Sequence, residues 1–355
     1  LVVLVLFAMA VAWLLNNTVH NLALRGKEFN YGFLWQRAGY DIGQHLIPYT
    51  NDDNHFRALL VGLLNTAVVA FFGCIFATIL GVVVGVLRLS RNWLVSRLMT
   101  VYVETFRNVP LLLWILLSYV ILSEVTPLPK DFKVTDEMIA AGEAPKASMM
   151  LFDSIAVTNR GTNIPAPLFE RGLGTLDLGF MSLNLTFWAI AALIAASIWV
   201  NHRIVASARA TQESTGVRPV TWWKSLLVLF APVIALLVAL GFHLEIPALK
   251  GFNFQGGILV AHSFTALLIA LTLYTAAFIA EIVRAGIQAI SRGQSEAAFA
   301  LGLRPNRTMS LIILPQALRV IIPPLISQYL NLTKNTSLGI AVSYLDLRGT
   351  LGGIT

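Results

Sequence analysis

The segment from Gly293 to Ala317 reads GQSEAAFALGLRPNRTMSLIILPQA and passes from a polar, alanine-rich stretch into an apolar one. Ser295 can cap a helix that begins at Glu296, because a serine at the N-cap accepts a hydrogen bond from a free backbone N–H. Gly302 supplies the left-handed conformation in which many helices end. The sequence therefore predicts a rigid helix of two turns, Glu296 to Leu301, between two hydrophobic segments.

The predicted helix has a face of small side chains, formed by Ala297, Ala298 and Ala300, and Pro315 resets the chain at the following apolar segment. A short rigid helix held at both ends is suited to being gripped by a partner protein. A capped connector without a partner would have the same pattern. The physics of this segment leaves both interpretations open.

Composition places this helix in the context of a membrane. Apolar residues make up 57% of the 355 positions and charged residues only 12%, with a mean hydropathy of +0.74. A soluble core of this length cannot hide so much apolar surface. A helix that crosses a bilayer needs about 20 predominantly apolar residues. Seven segments qualify: about 1–16, 58–87, 97–122, 182–200, 222–243, 258–284 and 311–332.

The two ends of the chain interrupt this pattern. The chain opens on Leu1, already in apolar sequence, so we expect the first span to be truncated. Residues 337–345, SLGIAVSYL, are too few to cross a bilayer and too apolar for an ordinary loop. We interpret them as a broken or re-entrant continuation of the seventh span.

The distribution of Lys and Arg predicts the orientation. The segments after the second, fourth and sixth spans are rich in basic residues and contain only Glu213 and Glu296 as acids, so we place them, including the short polar segment 201–221, in the cytoplasm. The segments 17–57 and 123–180 lie on the opposite side. Prolines and glycines in 123–180 predict an irregular extracytoplasmic loop with only short elements of its own.

No catalytic pattern is present in the sequence. It has no GxxxxGK[ST] phosphate loop, no HExxH zinc pair, no GxSxG elbow and no CxxC, and its six histidines lack ligand spacing. Cys74 is the only cysteine, and no basic, aromatic-rich patch suggests nucleic acid. We therefore expect a transport or scaffold protein without a metal, driven by a partner or by an ion gradient, rather than an enzyme.

A longer motif surrounds the short helix. Glu296-Ala297-Ala298, Gly302, Ile312, Leu314 and Pro315 reproduce the spacing of the signature of the integral membrane subunits of ABC importers, which this chain resembles. The segments 62–66, 102–111, 274–286, 293–294 and 332–338 resemble the polar amino-acid branch of that family. Together, the matching parts cover roughly 58–122 and 255–347.

The resemblance implies an all-α, polytopic membrane protein with a type I ABC importer permease core and extra transmembrane helices. The core would comprise spans two, three, six and seven plus one helix beyond Thr355, and the additions resemble those of the larger permeases for general L-amino acids. The implied organisation has five regions: a first span and outer loop at 1–57, a first core part at 58–122, a periplasmic loop at 123–180, an added helix pair at 181–254 and a second core part at 255–355.

The resemblance also implies partners. A homologous permease would complete a heterodimer, and a dimer of ATP-binding cassette subunits, which hold ATP and Mg, would dock on the cytoplasmic helix. A periplasmic amino-acid-binding protein would deliver polar L-amino acids at the bacterial inner membrane, where lipid surrounds the spans. This chain itself would hold no cofactor.

Charged residues inside the spans are candidates for transport or for structure. Glu104 and Arg107, like Glu281 and Arg284, are three residues apart, a spacing that permits an ion pair on one helix face. A direct role in transport is the second interpretation of each pair.

Lys334 differs because it has no acid at helical spacing. It follows Pro323-Pro324 and adjoins the hydroxyls of Thr336 and Ser337, where the helix is expected to break and irregular backbone would line a cavity. We predict a substrate path or gate at these three residues, and we add Asn65, Thr66, Glu104 and Arg107 to it. Snorkelling of Lys334 to the membrane interface is the competing interpretation.

Two other classes of protein remain open at this level. An ion-coupled secondary transporter should have paired repeats and midplane carboxylates, and neither is evident. A scaffold protein would have no need of the cytoplasmic EAA helix. Dependence of uptake on ATP rather than on membrane potential separates an ABC importer permease from an ion-coupled transporter.

Overall fold

The computed structural model describes residues 2–24, 31–134, 145–177 and 182–353. The chain divides into two compact units, Leu1–Val125 with Val260–Thr355, and Thr126–Leu259. Its helices are α1 Val2–Leu24, α2 His55–Leu87, α3 Trp93–Asn108, α4 Leu111–Val120, α5 Leu185–Thr215, α6 Trp222–Ala239, α7 His262–Gln288, α8 Arg292–Ala300, α9 Pro305–Thr308, α10 Leu314–Asn335 and α11 Leu347–Gly352.

Within the described residues, six helical segments are long and apolar enough to cross a membrane: Val2–Leu24, His55–Leu87, Leu185–Thr215, Trp222–Ala239, His262–Gln288 and Pro305–Val342. A seventh crossing would require the bent pair Trp93–Asn108 and Leu111–Val125. The fold is therefore the polytopic helical membrane protein that the sequence predicts.

The predicted span at 97–122 is a bent pair of helices and not one straight helix. The two helices of the pair meet at an angle of 103°. Val109 between them is extended, with φ −98° and ψ 132°. Pro110 explains the break, because proline lacks an N–H and disfavours helical geometry in the residue before it.

The fourth span is longer than predicted. Helix α5 continues to Thr215, so most of the segment 201–221, predicted to be a cytoplasmic connection, is helical. It ends at Gly216, whose φ of +75° is left-handed. The first span is also longer, because α1 continues to Leu24.

The seventh span continues beyond its predicted end at residue 332. A π-helical turn, Met309–Ile313, joins α9 to α10, and a 3₁₀ segment, Thr336–Val342, extends α10. The chain turns only at Ser343, with a φ of +61°. The predicted broken continuation at 337–345 is thus largely a tightened helical extension followed by a turn.

The core of the first unit is a close contact between α2 and α7. A Cβ atom at Gly81 would lie 2.6 Å from the Cβ of Ile279, and one at Gly85 would lie 2.7 Å from the carbonyl oxygen of Ala280. Gly73, Ala77, Gly81 and Gly85 are all buried at four-residue spacing along α2. Small residues at this spacing let two helix backbones approach closely in a membrane.

The second unit contains two helices and short strands. Its strands are β1 Ala156–Thr158, β2 Gly161–Ile164, β3 Ala166–Phe169, β4 Thr175–Asp177, β5 Ser182–Asn184, β6 Phe242–Glu245, β7 Ala248–Lys250, β8 Asn253–Gln255 and β9 Ile258–Val260. They form a three-stranded sheet, β1-β2-β9, and the pairs β3-β6, β4-β5 and β7-β8.

Helices α5 and α6 pack against each other. The segment 123–180, predicted to be an irregular loop with short elements, contains short strands, some of which pair with strands up to residue 260. Its residues 135–144 and 178–180 lie outside the described residues. Strand pairing between distant segments is the reason that local sequence did not reveal this sheet.

Candidate coupling helix and transport cavity

The short polar helix is present as α8 and ends as predicted. Gly302 has a φ of +74°. Its N–H donates to the carbonyl of Phe299 at 2.9 Å, and the N–H of Leu303 donates to the carbonyl of Ala298 at 3.1 Å. These two bonds form a Schellman motif, which fixes the exit of the helix.

The predicted start of this helix is wrong. The helix begins at Arg292, with Ser291 at the N-cap, and not at Glu296 after Ser295. The extended backbone of Ser291, with ψ 141°, sets the start, and the helix tolerates Gly293 in its first turn. A glycine in a helix costs only about 1 kcal/mol relative to alanine, so it does not prevent the helix from starting before it.

The small face of the helix is divided between two environments. Ala298 is only 1% exposed, because α8 packs against the π-helical turn after α9, whereas Ala297 and Ala300 are exposed. Phe299 and Leu301 are 52% and 80% exposed and carry most of the accessible apolar surface. The sequence reasoning missed these two side chains, although large apolar residues in a polar helix are a detectable signal.

Helix α8 is bonded to the span that follows it. Gln316 Nε2 on α10 donates to Gln294 Oε1 at 3.3 Å and to the carbonyl of Ile312 at 3.0 Å. Pro315 directly follows the π-helical turn Met309–Ile313 and cannot donate a backbone hydrogen bond back to it. The bond between Gln316 and Gln294 connects α8 to α10.

An ion cluster joins the C-terminal ends of α2 and α7. Arg284 Nη2 lies 2.5 Å from Glu281 Oε1, and Arg88 donates to Glu281 Oε2 from the end of α2. Arg284 Nη1 also donates to Gln288 Oε1 at 2.6 Å. The sequence spacing indicated Arg284, but Arg88 lies 193 residues away along the chain and was missed.

The predicted ion pair between Glu104 and Arg107 is not formed. Among the ion pairs of the described residues, none joins these two exposed side chains. The guanidinium of Arg107 instead lies 5.3 Å from the ring centre of Phe278 on α7. The attraction of a cation to an aromatic face competes with an exposed pair, which contributes little.

Lys334 lies in a cavity of about 210 Å³ between α7 and α10. The remaining lining residues are Tyr274, Thr275, Phe278, Gln328, Asn331 and Asn335. Tyr274, Thr275 and Phe278 lie near the middle of α7, so Lys334 is level with the centre of that helix and not with its end. No ion pair of the described residues involves Lys334.

Thr275 gives the cavity a second polar feature. Thr275 is only 3% exposed, and its hydroxyl makes no hydrogen bond within the part of the chain that the structure describes. Most helical threonines donate to a carbonyl four residues earlier, as Thr66 and Thr78 do here. A lysine, a free hydroxyl and three amides therefore face one opening.

Three of the predicted path residues lie elsewhere. Thr336 is 1% exposed and donates to Asp346 Oδ2 at 3.0 Å. Asn65 Nδ2 donates to the carbonyls of Gln44 and Leu345, and Thr66 Oγ1 accepts from the N–H of Leu347 at 3.0 Å.

These bonds hold the turn after α10 against α2. Tyr344 adds to them by donating to the carbonyl of Asn65 at 3.0 Å. Ser337, next to Thr336, uses its hydroxyl to donate to the carbonyl of Lys334 at 2.9 Å. The structure thus brings Lys334 together with residues of α7, and not with Asn65, Thr66 or Thr336.

Comparison with known proteins identifies the family of this chain. Residues 216–343 match the family of binding-protein-dependent transport system inner membrane components. The chain is 68% identical over its whole length to the glutamate/glutamine/aspartate/asparagine transport system permease protein BztB of Rhodobacter capsulatus, and it covers 84% of that protein.

Two further relatives extend the likeness. The general L-amino acid transport system permease protein AapQ of Rhizobium johnstonii is 42% identical over 96% of this chain and 78% of that protein. The putative amino-acid ABC transporter permease protein YhdX of Escherichia coli is 40% identical over 97% of this chain and 80% of that protein. These relatives favour a permease over an ion-coupled secondary transporter, and the chain belongs to the family of amino-acid ABC transporter permeases.

Proposed function

We propose that this chain is a permease subunit of an ATP-driven importer that moves polar L-amino acids from a periplasmic binding protein across the bacterial inner membrane. A homologous permease completes a heterodimer. A dimer of ATP-binding cassette subunits binds ATP and Mg and docks on α8. The names of the relatives, which specify acidic amino acids, their amides and L-amino acids in general, support this substrate class.

The observation that carries the proposal is the geometry of α8. The helix has a fixed end at Gly302, two exposed apolar side chains at Phe299 and Leu301, and a hydrogen bond to the next span through Gln316. A connector without a partner has no reason to expose a phenylalanine and a leucine on a polar helix. A nucleotide-driven movement of the ATPase would reach α10 through these contacts.

The cavity around Lys334 is the proposed site of substrate passage in this subunit. A lysine level with the middle of a spanning helix is costly unless it is solvated or paired. The carboxylate of an amino acid would pair with the ammonium group, and Thr275 and the amides of Asn331 and Gln328 would complete its hydrogen bonds. Arg107 lies against Phe278, which lines the same cavity.

The test of coupling compares two glycines. Gly302 and Gly216 both end a helix with positive φ, and a Cβ atom at either would meet nothing within 4 Å. Valine strains the left-handed backbone equally at both positions. In proteoliposomes with the second permease, the ATPase and the binding protein, we expect Gly302→Val to abolish substrate-stimulated ATP hydrolysis and Gly216→Val to retain it.

A second variant examines the docking face itself. A bulky residue at Ala298 would disturb the chain's own packing, so Phe299→Ala is the better change, and we expect it to reduce co-purification of the ATPase. Equal stimulated hydrolysis in the Gly302 and Gly216 variants would leave α8 as a simple connector. Uptake driven by membrane potential without ATP would instead establish the ion-coupled alternative.

A further inference from the structure

A second polar cavity lies in the other unit, between the sheet β1-β2-β9 and the β7-β8 hairpin. Its volume is about 180 Å³. Arg160, Asn163 and Asn253 contribute polar side chains, and Pro129, Phe254 and Leu259 contribute apolar ones. No acidic side chain is among the described residues that line it.

The position of Arg160 is fixed by the turn between β1 and β2. Thr158 Oγ1 donates to the carbonyl of Gly161 at 2.9 Å and accepts from the N–H of Arg160 at 3.3 Å. The guanidinium donates through Nη1 to Asn253 Oδ1 on β8. The N–H groups on Nε and Nη2 of Arg160 donate to no described residue and are free to bind a ligand.

Asn163 is the unexplained polar group of this cavity. It lies on the central strand β2, is only 7% exposed, and faces Ala156 across the strand pair. Its side-chain amide makes no hydrogen bond within the described residues. The residue is buried, but its unbonded amide is not sealed from the cavity, so Nδ2 is available to donate to a ligand there.

We propose that this cavity binds a small carboxylate anion with a short methylene chain, of about the size of glutarate. The carboxylate would pair with the free fork of Arg160 and accept from Asn163 Nδ2, as bidentate guanidinium binding favours. Phe254, Leu259 and Pro129 would contact the methylene groups. The described lining residues include no carboxylate that could pair with an ammonium group, so we choose a ligand without an amino group.

Glutarate is the probe for this cavity, and variants of each cavity separate it from the transport path. The full chain in lipid nanodiscs is titrated with radiolabelled glutarate in equilibrium binding. We expect saturable binding, weakened at least about tenfold by Asn163→Asp, which replaces a donor with a like charge, and by Asn163→Leu. Thr162→Ala, at the neighbouring position on the opposite face of β2, is the matched control and should change affinity less than about twofold.

Two comparisons make the result decisive. Lys334→Ala should retain the saturable component of glutarate binding that depends on Asn163, because Lys334 belongs to the other cavity. Absence of saturable binding, unchanged binding in Asn163→Asp, or loss of the Asn163-dependent component in Lys334→Ala would each overturn the proposal. If the wild-type chain binds no glutarate and Asn163→Asp abolishes association with the periplasmic binding protein, the cavity receives a side chain of that protein and the proposal is wrong. Substrate-stimulated ATP hydrolysis is measured on the same samples, so failure of this site is distinguished from failure of the transport function.

Discussion

Helices α7 and α6 are both apolar enough to cross a membrane, yet they are buried to different extents. In the most apolar window of α7, 56% of the residues are buried inside the protein, and in that of α6 none are. Helix α7 contacts α2, α4 and α10, while α6 packs on α5 with no residue fully buried. Hydropathy alone therefore does not separate a helix that organises a core from one that presents its surface to lipid or to another subunit.

The difference lies in side-chain size and in buried polar bonds. Helix α2 presents glycine and alanine at four-residue spacing to α7, and Glu281 on α7 bonds to arginines on two helices. Helix α6 exposes Leu226, Phe230 and Ile234 along its length. Close backbone contact and charge pairing thus distinguish the core unit from the helix pair, and four sets of variants test this distinction.

The largest expected effect is at the contact between α2 and α7. Gly81→Val should destabilise the protein by about 3 kcal/mol, because the new Cβ would clash with Ile279 and the carbonyl of Ala276. Ala235→Val, on the exposed surface of α6, should have almost no effect. Survival of detergent-solubilised protein after heating, measured by size-exclusion chromatography, checks both. Equal survival would mean that the close contact does not stabilise the core.

The ion cluster should have the next largest effect. Glu281→Gln leaves Arg88 and Arg284 close together without their shared carboxylate, which should cost about 2 kcal/mol because the site is partly buried. Glu213→Gln on α5 removes an exposed carboxylate and should cost less than about 0.5 kcal/mol. The same heating assay compares the two variants. A loss in Glu213→Gln as large as in Glu281→Gln would contradict the distinction between the units.

Lysine substitutions compare function in the two regions. Lys334→Ala should lower amino-acid uptake at least about tenfold, or about 1.4 kcal/mol, while the complex still assembles with its ATPase. Lys224→Ala on α6 removes a cation that lies over the ring of Trp223 and should leave uptake within about twofold. Uptake is measured in proteoliposomes, and assembly by co-purification. Wild-type uptake in Lys334→Ala would remove this residue from the transport path.

The smallest expected difference concerns the helix caps. Asn54 accepts from the N–H of Arg57 at the start of α2, and Asn184 accepts from the N–H of Phe187 at the start of α5. Replacing either by alanine should cost about 1 kcal/mol, because a cap is a local interaction that does not depend on how the helix packs. Heating curves of the two variants should coincide. A clearly larger loss at Asn54 would show that capping and packing are coupled in the core unit.

The sequence predicted elements better than it predicted contacts. It indicated the end of the short polar helix at Gly302 and the pair of Glu281 and Arg284, because both depend on residues a few positions apart. It missed the break at Pro110, where an apolar pattern continues across a proline that a helix cannot accommodate there. It also grouped Asn65 and Thr336 with Lys334, since a shared polar character says nothing about which helix face each residue occupies.

By itself the sequence determined that the chain crosses a membrane, where its apolar helices lie, and that a capped polar helix connects two of them. These features follow from hydropathy, capping and glycine conformation, which act over a few neighbouring residues. The tertiary structure alone decided that Arg88 bonds to Glu281 and that Lys334 faces Thr275. It also decided that Asn163 and Arg160 line one cavity. Each of these depends on the rotation and closeness of packed elements, which are set by side-chain fit between distant segments and not by local sequence.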